Sequence, residues 1–94
     1  MKKYELVLTD SKVVYGITLY RIKALVSISR YGINVCDLGG YIEGEKNLSQ
    51  DSDAWVSGDA QVSGNARVYG NAWVFGNALV SGDVHVFGNA QVYG

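Results

Sequence analysis

The sequence predicts an all-β chain in which a β-rich N-terminal segment caps a short parallel β-solenoid, and three observations lead there. From Ala54 onward one six-residue unit, Ala-x-Val-x-Gly-Asn/Asp, recurs seven times, with Val84 in place of alanine in the sixth and the seventh ending at Gly94. A glycine at every sixth position excludes helix there, since each would cost a helix roughly 1 kcal/mol. Before residue 53 the apolar residues instead follow the two-residue alternation of longer strands.

The N-terminal half is read in order. Tyr4, Leu6 and Leu8 alternate with Glu5 and Val7 as a first strand, and Thr9-Asp10-Ser11 reads as a turn. Thr18 to Ala24 forms a second strand that Val26 and Ile28 extend. Arg30-Tyr31-Gly32 then turns the chain into Ile33-Asn34-Val35, and the pairing is expected to be antiparallel. In the lead-in Asp37-Leu38-Gly39-Gly40-Tyr41-Ile42-Glu43, the two glycines permit a close backbone approach or a positive φ where the chain switches to its first coil. A phosphate-cradling loop would need a following helix or lysine, which is missing. Glu43, Glu45 and Lys46 read as a solvated loop. The expected division is therefore a cap and lead-in over 1–52 and a solenoid over 53–94.

Within the repeats, side chains alternate across an extended backbone, so each Ala and Val points inward and the residue between them points out. The Gly-Asn/Asp pair turns the corner, because these residues tolerate tight or left-handed backbone. An open solenoid end exposes unpaired backbone groups, which makes the N-terminal strands its natural cap. The repeat breaks off at Tyr93-Gly94, which reads either as part of a longer array or as an edge that pairs with another protomer.

Val56 to Ala60, Val62 to Ala66, Val68 to Ala72, Val74 to Ala78 and Val86 to Ala90 place an aliphatic residue four positions before a small one. That spacing resembles the hexapeptide repeat of left-handed parallel β-helices. With Leu19-Tyr20-Arg21-Ile22, Gly39-Gly40-Tyr41-Ile42-Glu43 and the Gly-Asn-Ala run, the chain resembles small hexapeptide-repeat proteins of bacterial and prophage genomes, often described as transferases. The resemblance implies a left-handed coil of three hexads, a trimer, and in some relatives acetyl transfer from coenzyme A with a histidine base.

Three hexads per coil make residues eighteen apart stack. One face then carries Trp55, Trp73 and Gln91 beside Ser57, Phe75 and Tyr93, and it is aromatic. The second carries Gln61 and Leu79 beside Ser63 and Ser81, and it is bland. The third carries Arg67 and His85 beside Tyr69 and Phe87. Contiguous apolar patches are rarely left in water, so Trp55, Trp73, Phe75, Tyr93, Tyr69 and Phe87 are the candidate binding residues, joined by Arg67 and His85.

Composition narrows the function classes. A net charge of −1 and a pI near 5.6 argue against nucleic acid as a partner. No apolar run is long enough for a membrane span and no signal-peptide pattern follows Met1, so a cytoplasmic protein is expected. Cys36 is the single cysteine and is expected to be a buried apolar thiol. One histidine cannot supply an imidazole metal cluster, and no cofactor is expected.

The sequence thus reads as a non-catalytic structural or interaction module that self-assembles through its aromatic faces, a homo-oligomer with a trimer favoured. The first alternative is a binder of a small anionic ligand, such as a nucleotide, in an intersubunit pocket near Arg67, His85, Arg21 and Arg30. The second is a coenzyme A-dependent acyltransferase with His85 as base.

Overall fold

The computed structural model describes residues 2–94. Its regular elements are strands, apart from two 3-10 turns at Ser29–Tyr31 and Glu45–Asn47. No helix among them is long and apolar enough to cross a membrane.

Strands β1 (Tyr4–Val14) and β2 (Ile17–Ala24) form the expected antiparallel pair. Thr9-Asp10-Ser11 does not reverse the chain, however. The pairing jumps from Val7 opposite Arg21 to Ser11 opposite Tyr20, so this polar triplet makes a bulge within one long strand. Reversal falls at Tyr15-Gly16, with φ of 50° and 79°, the two positive values a type I′ hairpin loop needs. Tyrosine in place of the usual Asn or Asp hid that turn. Strand β2 also stops at Ala24, short of Val26 and Ile28. Ile28 instead bridges Ile33 around the Ser29–Tyr31 turn, which Gly32 closes.

Strand β3 (Leu38–Ile42) is the junction: it pairs antiparallel with β2 on one side and parallel with β5 (Gln61–Val62) on the other. Close approach is what Gly39 and Gly40 supply there. A Cβ on Gly39 would lie 2.5 Å from the Val56 carbonyl oxygen, and one on Gly40 2.7 Å from that of Ala60. Neither glycine has a positive φ.

Seven short strands then wind around the core: β4 (Trp55–Val56), β5, β6 (Arg67–Val68), β7 (Trp73–Phe75), β8 (Leu79–Val80), β9 (His85–Val86) and β10 (Gln91–Tyr93). They stack in parallel as β4-β7-β10, β3-β5-β8 and β6-β9. Trp55 lies opposite Trp73, Gln61 opposite Leu79 and Arg67 opposite His85, the eighteen-residue spacing of the sequence reading. Val56, Val62, Val68, Val74, Val80 and Val86 are buried, as are Ala54, Ala60, Ala66, Ala72 and Ala78. Corner glycines from Gly58 to Gly88 hold φ between 66° and 73°.

Coiling begins before the repeat motif. Tyr41 pairs with Gln61 and Leu48 bridges Val68, offsets of twenty residues, so the first coil runs from β3 to β4 and its first two sides lack the Ala-x-Val signature. Asn47, fully buried, makes this possible. Its Oδ1 accepts from the Glu43 and Gly44 N–H groups at 3.1 and 3.0 Å, and its Nδ2 donates to the Gly64 and Ala66 carbonyls at 3.2 and 2.9 Å. The 52/53 division therefore marks the start of the motif, while the coil itself starts at β3.

The hairpin is fastened to this coil at two places. Arg21 meets Asp10 in the bulge at 3.0 Å, donates to the Gly39 carbonyl at 2.9 Å and to the Tyr41 hydroxyl at 2.7 Å, and stacks on the Tyr41 ring. At the other end Lys3 Nζ donates to the Ser52 and Ala54 carbonyls at 2.7 and 2.5 Å. Beside it Tyr4 donates to the Leu48 carbonyl at 2.6 Å and sets its ring edge-on to Trp55.

Burial lowers Lys3 to about 8 from 10.5, against a partial opposing pull from Asp53 and Asp51, and burial raises Tyr4 above its ordinary 10.0. Above about pH 8 the folded chain releases the Lys3 proton while the unfolded chain keeps it, so stability rises with pH. Past about pH 10 the unfolded chain ionises Tyr4 first and stability falls. Melting curves should therefore climb between those values and then decline. Lys3→Met should remove the climb, and it should lower stability throughout by stranding two buried carbonyls.

Val74 has no exposed surface. Val74→Asp should abolish the cooperative thermal transition, because an unpaired carboxylate in so narrow a core finds neither water nor a partner. Outward-facing Gln61→Lys should change stability by no more than about 0.5 kcal/mol.

Candidate functional site

The solenoid holds its outward residues at the strand spacing of about 4.8 Å, close enough for rings in register to stack. On the third face Tyr69 and Phe87 lie 5.4 Å apart and 10° from parallel, and the His85 and Tyr69 rings meet in a T-shaped contact at 6.0 Å. Phe87 is 56% exposed and Tyr69 37%. On the first face Phe75 and Tyr93 stack at 5.1 Å and 18°, with Tyr93 70% exposed.

The rest of the first face is not free. Trp55, expected as an outward binding residue, is completely buried, because the N-terminal cap closes over it with Tyr4. Trp73 is half-buried: Tyr31 stacks on it at 4.7 Å, Phe75 lies against it at 4.4 Å, and its Nε1 donates to Ser57 Oγ at 2.9 Å. Tyr31 also donates to the Asn71 carbonyl, clamping the Ser29–Tyr31 turn onto this face. The apolar surface nearest the cap is thus covered by the same chain.

The bland face also differs from expectation. The hairpin tip at Val14, Tyr15 and Ile17 overhangs Leu79 and encloses an apolar hollow of about 210 Å³. Leu79 and Tyr15 remain strongly exposed there.

The four basic or imidazole candidates do not converge. Arg21 is held by Asp10 on the second face, and Arg30 pairs with Asp53 at 3.4 Å in the cap. Only Arg67 and His85 stand together, opposite each other in β6 and β9. The structure adds Lys46, from the segment read as a solvated loop. Lys46, Ser49, Gln50 and Asp51 face Arg67, Tyr69 and His85 across a hollow of about 420 Å³. The eighteen-residue columns could not reveal this grouping, because the first coil stacks at an offset of twenty.

Among the described residues, Lys46, Arg67 and His85 have no carboxylate within 4 Å. Glu45 at the hollow's rim is engaged elsewhere: Lys2 bonds it at 2.7 Å and, with Gln50, holds its carboxyl below the usual range. Cys36 is exposed with φ of 75°, not the buried thiol expected, because it sits in the tight connection between cap and first coil.

Residues 60–74 match a family model described as the YdcK beta solenoid repeat. Together with the stacked parallel strands, this makes the chain a β-solenoid repeat protein. No curated protein and no solved structure matches it.

Trp73→Ala should cost about 2–3 kcal/mol in chemical denaturation, somewhat below the range for a fully buried ring. It removes two ring contacts and the donor to Ser57. A loss this large in a protein kept monomeric by dilution would show that Trp73 holds the cap on the coil rather than serving only as an interface residue.

Proposed function

We propose that the protein is a non-catalytic structural and interaction module that associates with copies of itself through its aromatic faces. The observation that carries this reading is the pair of stacked ring ladders, exposed Tyr69 with exposed Phe87 on one face and half-buried Phe75 with exposed Tyr93 on another. Stacking fixes the rings in one orientation, so little conformational freedom remains to be lost on association. Rigid aromatic surface is what interface centres use.

Two unlike ladders on two faces suit a heterologous contact, in which one ladder of a copy meets the other ladder of the next. A ring closes such contacts. A trimer of left-handed hexapeptide-repeat coils, the form that the resemblance to hexapeptide-repeat proteins implies, is the one we infer. His85 has the residue type of an acyl-transfer base, but it packs in a T-shaped contact with the Tyr69 ring and no carboxylate orients it among the described residues.

Light scattering on the purified protein tests the assembly. Wild type should be trimeric, and Phe87→Ser with Tyr93→Ser should shift it to monomer while β-type circular dichroism persists. Leu79→Ser on the second face should leave the mass unchanged. A monomeric wild type, or dissociation by Leu79→Ser alone, would overturn the reading. Acetyl-coenzyme A turnover that vanishes in His85→Ala would replace it with the enzymatic one.

A further inference from the structure

The geometry points to a ligand site, formed within a single chain, for a phosphate-bearing planar ring of mononucleotide size in the hollow between the first coil and the third face. Its volume of about 420 Å³ lies within the ordinary range of small-molecule sites, roughly 300–1,000 Å³. The site does not depend on self-association.

Two features of the hollow select the ligand. The first is charge. Lys46 and Arg67 line it, and both also line an adjoining depression, so the two cations face one space. Neither has a carboxylate within 4 Å among the described residues. His85 stands opposite Arg67 in the stack and adds an imidazole to the same wall. A planar guanidinium and an ammonium flanking one space match the oxygens of a phosphate group.

The second feature is an interrupted ring ladder. One face of Tyr69 is taken by Phe87. On its other side the first coil places Ser49, whose backbone N–H donates to the Val68 carbonyl at 2.9 Å and so keeps it in the neighbouring strand position. A serine where the next coils carry rings leaves one stacking step over Tyr69 unfilled, open to the hollow that both residues line. A planar ring seated on Tyr69 continues the ladder, with its phosphate toward Arg67 and Lys46. Asp51 lines the same hollow and offers an acceptor for a sugar or base donor.

The test is calorimetric titration of the full chain with three probes: 5′-AMP, adenosine and inorganic phosphate. Wild type should bind 5′-AMP at least tenfold more tightly than either fragment. Lys46→Ala and Arg67→Ala should each weaken 5′-AMP tenfold or more and leave adenosine nearly unchanged. Ser49→Phe fills the stacking step and leaves Lys46 and Arg67 in place, giving up the Asp51 N–H bond to Ser49 Oγ, so it should abolish 5′-AMP binding and spare the weak binding of phosphate. Circular dichroism verifies that each variant is folded, and Gln61→Lys serves as the variant with an altered charge elsewhere. No binding of 5′-AMP to wild type, equal affinity for phosphate alone, or undiminished 5′-AMP binding in folded Ser49→Phe would overturn the proposal.

Discussion

The interior of this solenoid has room for one alanine and one valine per strand, and everything else in the molecule follows from that narrowness. Backbones so close leave no place for a Cβ at the turns: one added to Gly70 would come within 2.9 Å of the Gly88 nitrogen in the next coil. Small inward residues and glycine corners are therefore one requirement seen twice. So little apolar area per residue is a weak basis for stability. The chain recovers area elsewhere by setting rings on the outside of the coil and by covering one end with a hairpin.

That cover does more than shield unpaired backbone. Lys3, Tyr4, Arg21 and Tyr31 each reach from the N-terminal segment to the coil, and the last lies on Trp73. Trp55 and Trp73 thus extend the solenoid's core toward the cap. The exposed rings are those farther from the cap, which is why Tyr93 and Phe87 are far more accessible than the two tryptophans. Position along the axis, not residue type, decides which aromatics can meet a partner.

The first coil shows the same constraint met by other means. Its first two sides lack the Ala-x-Val-x-Gly-Asn/Asp unit, yet Ile42 and Leu48 occupy inward positions and buried Asn47 bonds four backbone groups. Glu43 reinforces it by accepting the Gly64 N–H at 2.8 Å. Side-chain hydrogen bonds take over the cornering that glycine performs later. The cost in regularity is an offset of twenty residues, and that offset brings Lys46 and Ser49 to the wall of the hollow opposite Arg67.

The six-residue unit by itself determined the parallel coil, its inward and outward positions and the eighteen-residue columns, because each strand pairs with a neighbour of the same pattern and only one register buries the third-position valines from Val56 to Val86. Gly39-Gly40 likewise announced the junction, since only the absence of a Cβ lets the strands approach there. Which outward residues stay exposed, and where charges gather, lay beyond such reading. Trp55 and Phe87 occupy comparable outward positions, yet one is sealed and the other open. The cap's hairpin reverses at Tyr15-Gly16 and not at Thr9-Asp10-Ser11, for pairing with β2 outweighs the local turn preference of three polar residues. Contacts between the aperiodic half and the repeats have no period to reveal them, so tertiary packing alone decided the candidate site.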